Sequence, residues 1–258
     1  MEAALAPYVY AVLAAAGAAA GFIDAIAGGG GLISFPALLW AGLPIPVALG
    51  TNKLQSSCGT TLAVIRFTRA GLIPWRTLRL AVFVTFIAAT LGVIAVTHLE
   101  RTLLQRVVPV LLLAVAIYTA LNPQLGSVRR KARIGAAAFA LIFGTLLGFY
   151  DGFFGPGAGS FWMMACVLTL GLDLRAATGT TKALNLTSNI ASLIAFGCGG
   201  FLRWDVGIAM SAGQLLGARL GSGLVLTRGA AIIRPIFIAT ALLLAARLAW
   251  QALFPPTT

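Results

Sequence analysis

The apolar positions of this chain fall in ten blocks separated by short polar or glycine-rich stretches. They lie at about 8–27, 32–43, 47–68, 77–98 and 103–121, and then at about 134–154, 160–171, 176–199, 204–226 and 230–253. A hydrocarbon core about 30 Å thick takes about 20 apolar residues per helical crossing. Most blocks have that length. The second block of each five is too short, because 12 residues span about 18 Å as a helix. The pattern therefore predicts long crossings interrupted by two short helices that are tilted, re-entrant or half-length.

The two sets of five blocks are one motif written twice. Gly21-Phe22-Ile23-Asp24 recurs as Gly148-Phe149-Tyr150-Asp151, and Gly28 and Gly30 recur as Gly155 and Gly157, at an offset of 127. Two extra residues then raise the offset to 129, which relates Gly50-Thr51-Asn52-Lys53 to Gly179-Thr180-Thr181-Lys182. The same offset relates Gly42 to Gly171, Gly71 to Gly200, Trp75 to Trp204 and Gly92 to Gly221. This predicts a first transmembrane repeat over 1–121, a basic linker over 122–133 (NPQLGSVRRKAR) facing the cytoplasm, and a second repeat over 134–258.

Composition makes the membrane reading compulsory. Of 258 residues, 60% are hydrophobic and only 9% are charged, against about 25% in a soluble domain. This excludes a soluble enzyme, a nucleic-acid module and a disordered chain, and it makes the lipid bilayer the solvent. The formal charge of +12 then reads as basic cytoplasmic loops. The start carries Glu2 and no basic segment, so no cleavable signal peptide is expected. Cys58, Cys166 and Cys198 lie in apolar stretches without metal-ligand spacing and read as packing residues.

Charge also separates two topologies. If the short segments do not cross, the repeats are parallel and nine basic residues face five. If they do cross, the second repeat is inverted, both termini lie outside, and eleven basic residues face three. The positive-inside rule favours inversion. The expected fold is an all-α polytopic membrane protein of two homologous inverted repeats, with short broken or re-entrant helices after glycine runs.

The candidate chemistry sits where the pattern breaks. The run Gly28 to Gly31, which includes Gly29 and Gly30, and the run Gly155-Pro156-Gly157-Ala158-Gly159 weaken any helix through them. They serve either close packing or a site whose restarted helices aim free N–H groups at an anion. Asp24 and Asp151 precede the runs, and Lys53 and Lys182 open the third block of each repeat. Charges at membrane depth are paired or wetted. The pairing is Asp24 with Lys53 and Asp151 with Lys182, or the crossed alternative. The lysines are structural partners or anion ligands, and the aspartates are fixed counter-charges or proton carriers. Thr51, Asn52, Gln55, Thr180, Thr181, Asn185 and Asn189 supply neighbouring hydrogen-bonding groups, as do Ser56, Ser57 and Ser188. Arg219 either snorkels to the surface or lines the path. His98 and the two tryptophans Trp75 and Trp204 read as interfacial.

The Gly-Phe-x-Asp-x-x-x-Gly-Gly-Gly-Gly run, the Gly-Thr-Asn-Lys box and their repeats at Gly148 and Gly179 resemble the TauE/SafE sulfite exporter family over essentially the whole chain. The resemblance implies a multi-pass transporter of the bacterial cytoplasmic membrane that moves small sulfur-containing anions, such as sulfite or organosulfonates, usually outward. The chain departs from the pattern at Pro156 and at Leu184, which stands where the first copy has Gln55. No nucleotide-binding loop is present, so transport is expected to be passive or gradient-coupled, with no cofactor, no metal and no catalysis. The expected partner is a small anionic substrate, not nucleic acid, and a homodimer is compatible with the pattern. An anion channel is the nearest alternative, followed by an intramembrane enzyme or assembly factor.

Overall fold

The computed structural model describes residues 5–100, 103 and 131–229. Among these residues the architecture is entirely helical. The first half contributes α1 (Pro7–Ala27), α2 (Gly31–Trp40), α3 (Ile45–Arg69) and α4 (Trp75–Thr97). The second contributes α5 (Ala136–Phe153), α6 (Ala158–Thr169), α7 (Leu174–Cys198) and α8 (Trp204–Arg228). Eight of the ten expected segments are thus found at nearly the expected bounds. The fifth segment of each half lies outside the described residues.

Local chemistry sets the ends. α1 begins with Pro7 in its first turn, where a missing N–H costs nothing, and stops at Gly28 in the left-handed region. α7 is capped by Asp173, whose Oδ1 accepts from the N–H groups of Arg175 and Ala176, both at 3.0 Å. α5 contains one π-helical stretch, Ala140–Gly144. α2 and α6 have ten and twelve residues, about half the length of a crossing. α1, α4 and α5 are long and apolar enough to cross a bilayer. α3, α7 and α8, each of 25 residues, are as long but more polar.

The halves interlock. α1 packs along α8, and α4 along α5. Glycines let these backbones touch: Gly21 abuts the Gln214 carbonyl and Gly221 the Phe22 carbonyl, while Gly148 abuts Thr85 and Gly92 the Phe149 carbonyl. α3 and α7 lie face to face and antiparallel. Gly50, near the start of α3, meets Phe196 and Phe201 at the end of α7, whereas Gly179, near the start of α7, meets Leu72 just beyond α3. Two apolar clusters flank their middle. One gathers Ile26, Phe67, Phe139, Trp162 and Leu174, the other Leu13, Phe35, Leu49, Phe154 and Phe196. The polar residues of α3 and α7 lie between the two. Phe83, Phe86, Leu91 and Ile94 of α4 point outward, as lipid-facing residues do.

Candidate functional site

α3 and α7 present polar residues at helical spacing. On α7, Lys182, Asn185, Ser188, Asn189 and Ser192 recur every three or four residues, which puts them on one face. On α3, Asn52, Lys53, Gln55, Ser57 and Thr60 are buried. Because the two helices pack on each other, these faces meet inside the protein.

The glycine breaks complete the enclosure. Gly28 has φ of 78° and returns its N–H to the Asp24 carbonyl at 3.0 Å. Gly155 has φ of 90°, and it and Phe154 both donate to the Tyr150 carbonyl. L side chains pay about 1–2 kcal/mol in this left-handed region, which explains glycine at both ends. The two breaks cross. Gly28 and Gly159 touch backbone to backbone, and Gly31 lies against Pro156. The Tyr150 hydroxyl donates to the Pro156 carbonyl at 2.7 Å and braces this loop. Neither α2 nor α6 has a side chain capping its first turn; backbone carbonyls take most of their leading N–H groups, with Leu32 donating to Gly29, Ile33 to Gly30, Ala158 to Gly155 and Ser160 to Gly157.

The charges are paired across the halves. Lys53 Nζ donates to Asp151 Oδ1 at 2.5 Å and to the Asp151 carbonyl at 2.6 Å, with Asn189 Oδ1 at 3.3 Å. Asp151 Oδ2 also accepts from Asn185 Nδ2 at 2.8 Å and from the Ser188 hydroxyl. Lys182 Nζ donates to Asp24 Oδ2 at 2.8 Å. Both lysines are essentially fully buried. Of the two pairings the sequence allows, the crossed one is observed. It follows from the antiparallel contact of α3 with α7, which brings each lysine to the other half's break.

A cavity of about 20 Å³ lies at the crossing, room for about one water molecule. Asp24, Asn52, Lys53, Asp151, Gly157, Asn185 and Asn189 line it, with Ser56 and the glycines Gly28, Gly31, Gly155 and Gly159. The other candidates lie apart from its wall. Lys182 stands behind Asp24. Gly30 turns back against Ala20 and Asp24, and Gly29 faces Ile23 and Leu32. Thr51 accepts the Arg203 N–H at 3.0 Å and so ties α3 to the turn before α8. Gln55 Nε2 donates to Asn52 Oδ1 at 2.9 Å and to the Ser56 hydroxyl at 3.0 Å. Thr180 is buried, with a hydroxyl that finds no partner among the described residues, and Thr181 is buried beside the Cys166 thiol.

Arg219 is exposed and receives, through its carbonyl, the guanidinium of Arg66, so it takes no part in the cavity. His98 caps α4. Sequence reasoning did not single out Ser34, which donates to Asn52 Oδ1 at 2.6 Å. Its only signal is a hydroxyl one turn into a short helix. Gln214, a lone amide within an apolar block, was also passed over; it is buried and packs against Gly59.

The chain matches the family model described as sulfite exporter TauE/SafE over residues 13–248. A probable membrane transporter protein of Haemophilus influenzae is 41% identical over 241 residues, covering 93% of this chain and 94% of that protein. The probable membrane transporter protein YfcA of Escherichia coli K12 is 42% identical over 246 residues, covering 95% and 91%. The probable membrane transporter protein ORF9 of a Sinorhizobium species is 40% identical over 244 residues, covering 95% and 94%. No solved structure matches the chain.

Proposed function

This chain belongs to the sulfite exporter TauE/SafE family of membrane transporters, and on that premise we propose that it is a secondary carrier of small sulfur-containing oxyanions, of the sulfite and sulfonate class, working outward across the bacterial cytoplasmic membrane. The observation that carries this reading is the pair of buried lysines, Lys53 in the cavity wall at the crossing and Lys182 behind Asp24. Ammonium groups are donors only and suit an anion rich in acceptor oxygens. Asn52, Asn185, Asn189 and Ser56 line the same cavity and add neutral donors.

The cavity holds about one water. An oxyanion of four heavy atoms needs more room, so passage requires rearrangement. That favours a carrier over an open channel. The matched seams of α1 with α8 and α5 with α4, and the antiparallel contact of α3 with α7, support two inverted repeats that rock about the crossing. An inside-negative potential favours anion exit by about 2.3 kcal/mol per charge per 100 mV, so export needs no further coupling against a modest gradient.

Sulfite and methanesulfonate binding to the purified protein, read from the rise in thermal stability with concentration, tests the site. Lys182→Gln abolishes the response and Lys53→Gln weakens it severalfold. Normal responses in both variants would refute the assignment.

A further inference from the structure

The two ion pairs occupy matching sequence positions but unequal surroundings. Asp151 accepts from Lys53, Asn185 and Ser188, and its side chain is 2% exposed. Asp24 accepts from Lys182 alone among the described residues, and its side chain is 11% exposed. The lysines differ in the same sense. Lys53 has three acceptors, one of them a main-chain carbonyl. Lys182, fully buried, has only Asp24 among the described residues.

The cause is legible residue by residue. At the offset of 129, Asn185, Ser188 and Asn189 correspond to Ser56, Gly59 and Thr60. Ser56 is shorter than Asn185 and is engaged by Gln55 at 3.0 Å. Gly59 offers no hydroxyl, and the Gln214 side chain fills its space. Thr60 receives Asn189 Nδ2 at 3.5 Å. The first half therefore supplies Asp24 with none of the donors that hold Asp151.

We propose that Asp24 is a built-in stand-in for the substrate. It neutralises Lys182 while the site is empty, gives that lysine up to an entering oxyanion, and expels the anion when it returns. The Lys53–Asp151 pair stays closed throughout. This rests on the anion-carrier reading above and assigns the two halves different work. Asp24 is the charged member of the cavity wall held by one side-chain bond, so it is the one whose displacement enlarges the cavity at least cost. The same movement opens the way to Lys182, which otherwise does not reach the wall. The exchange keeps the Lys182 ammonium paired throughout, and the displaced Asp24 carboxylate turns to the water that enters the opened cavity with the anion.

Three proteins test it in detergent, with sulfite, methanesulfonate and chloride as probes and thermal stability as the readout. Asp24→Asn removes the competing carboxylate. It binds sulfite at least about tenfold more tightly than wild type, is stabilised by chloride that leaves wild type unchanged, and exchanges anions more slowly in proteoliposomes because release is impaired. Asp151→Asn loses stability and gains no affinity. Asp24→Glu keeps the charge, reaches further and weakens sulfite binding; it decides the matter if Asp24→Asn fails to fold. Equal or weaker sulfite binding by a folded Asp24→Asn, the same gain in Asp151→Asn, or unchanged affinity in Asp24→Glu would overturn the proposal. A wild type indifferent to sulfite and methanesulfonate would instead refute the substrate class. A chloride response confined to Asp24→Asn would still support the stand-in role.

Discussion

Lys53 holds Asp151 twice, through the carboxylate at 2.5 Å and the main-chain carbonyl at 2.6 Å. The second bond fixes the end of α5 as well as its charge, immediately before the chain turns at Gly155. Lys53→Met strips the ammonium from a carboxylate that is 2% exposed and leaves it with two neutral donors. Breaking a buried pair in this way costs about 3–5 kcal/mol. Adding Asp151→Asn to Lys53→Met removes the stranded charge and restores part of the loss. Unfolding of the single and double variants in detergent checks both statements; a Lys53→Met protein as stable as wild type would contradict them.

The contact of Gly28 with Gly159 leaves no space for a Cβ on either residue. Gly159→Ala drives a methyl into backbone, which cannot shift as a side chain tip can. The expected loss is about 3 kcal/mol or more. Gly135→Ala is the control, since a Cβ there meets nothing within 4 Å; its cost is about 1 kcal/mol or less. Melting temperatures of the two variants should separate clearly.

Asp173 caps α7 through two bonds of 3.0 Å. Asp173→Ala removes both and costs about 1 kcal/mol. Asp173→Asn keeps an acceptor oxygen and recovers most of it. Equal losses in the two variants would mean that charge, rather than hydrogen bonding, carries the cap.

Most of the helical layout was legible because lipid demands long apolar runs, and the interruptions were legible because glycine and proline are costly inside helices. The bounds of α2 and α6 follow from this directly. The partner of each lysine was not legible. Asp24 and Lys53 share the first half, but only the antiparallel contact of α3 with α7 decides that Lys53 reaches Asp151. The roles of individual polar residues were also hidden. Thr51 and Lys53 stand two apart in one box, yet Thr51 serves the turn at Arg203 while Lys53 faces the cavity. The π-helical stretch in α5 has no counterpart in α1 and no local sequence signal. The inequality of the halves was written in the chain at Ser56, Gly59 and Thr60, but it acquires meaning only once Asp151 is seen to use their counterparts.

In the proposed inverted arrangement the antiparallel α3 and α7 both cross the bilayer, so the turn after α3 and the turn after α7 are expected on opposite faces of the membrane. Native Cys198 is exposed at the second turn. A membrane-impermeant maleimide should reach it from outside intact cells. In a Cys198→Ser background, Ala70→Cys at the first turn should label only from the cytoplasmic side. Labelling of both positions from one side would refute the inverted arrangement.

On the proposed mechanism a small oxyanion crosses by exchange at buried Lys182. Counterflow of radiolabelled sulfite in proteoliposomes tests it most directly, because a carrier, unlike a channel, returns faster when loaded. Unlabelled sulfite inside the vesicles should accelerate labelled uptake severalfold, and Lys182→Gln should remove that acceleration. Uptake indifferent to internal sulfite, or equal acceleration in Lys182→Gln, would contradict the account.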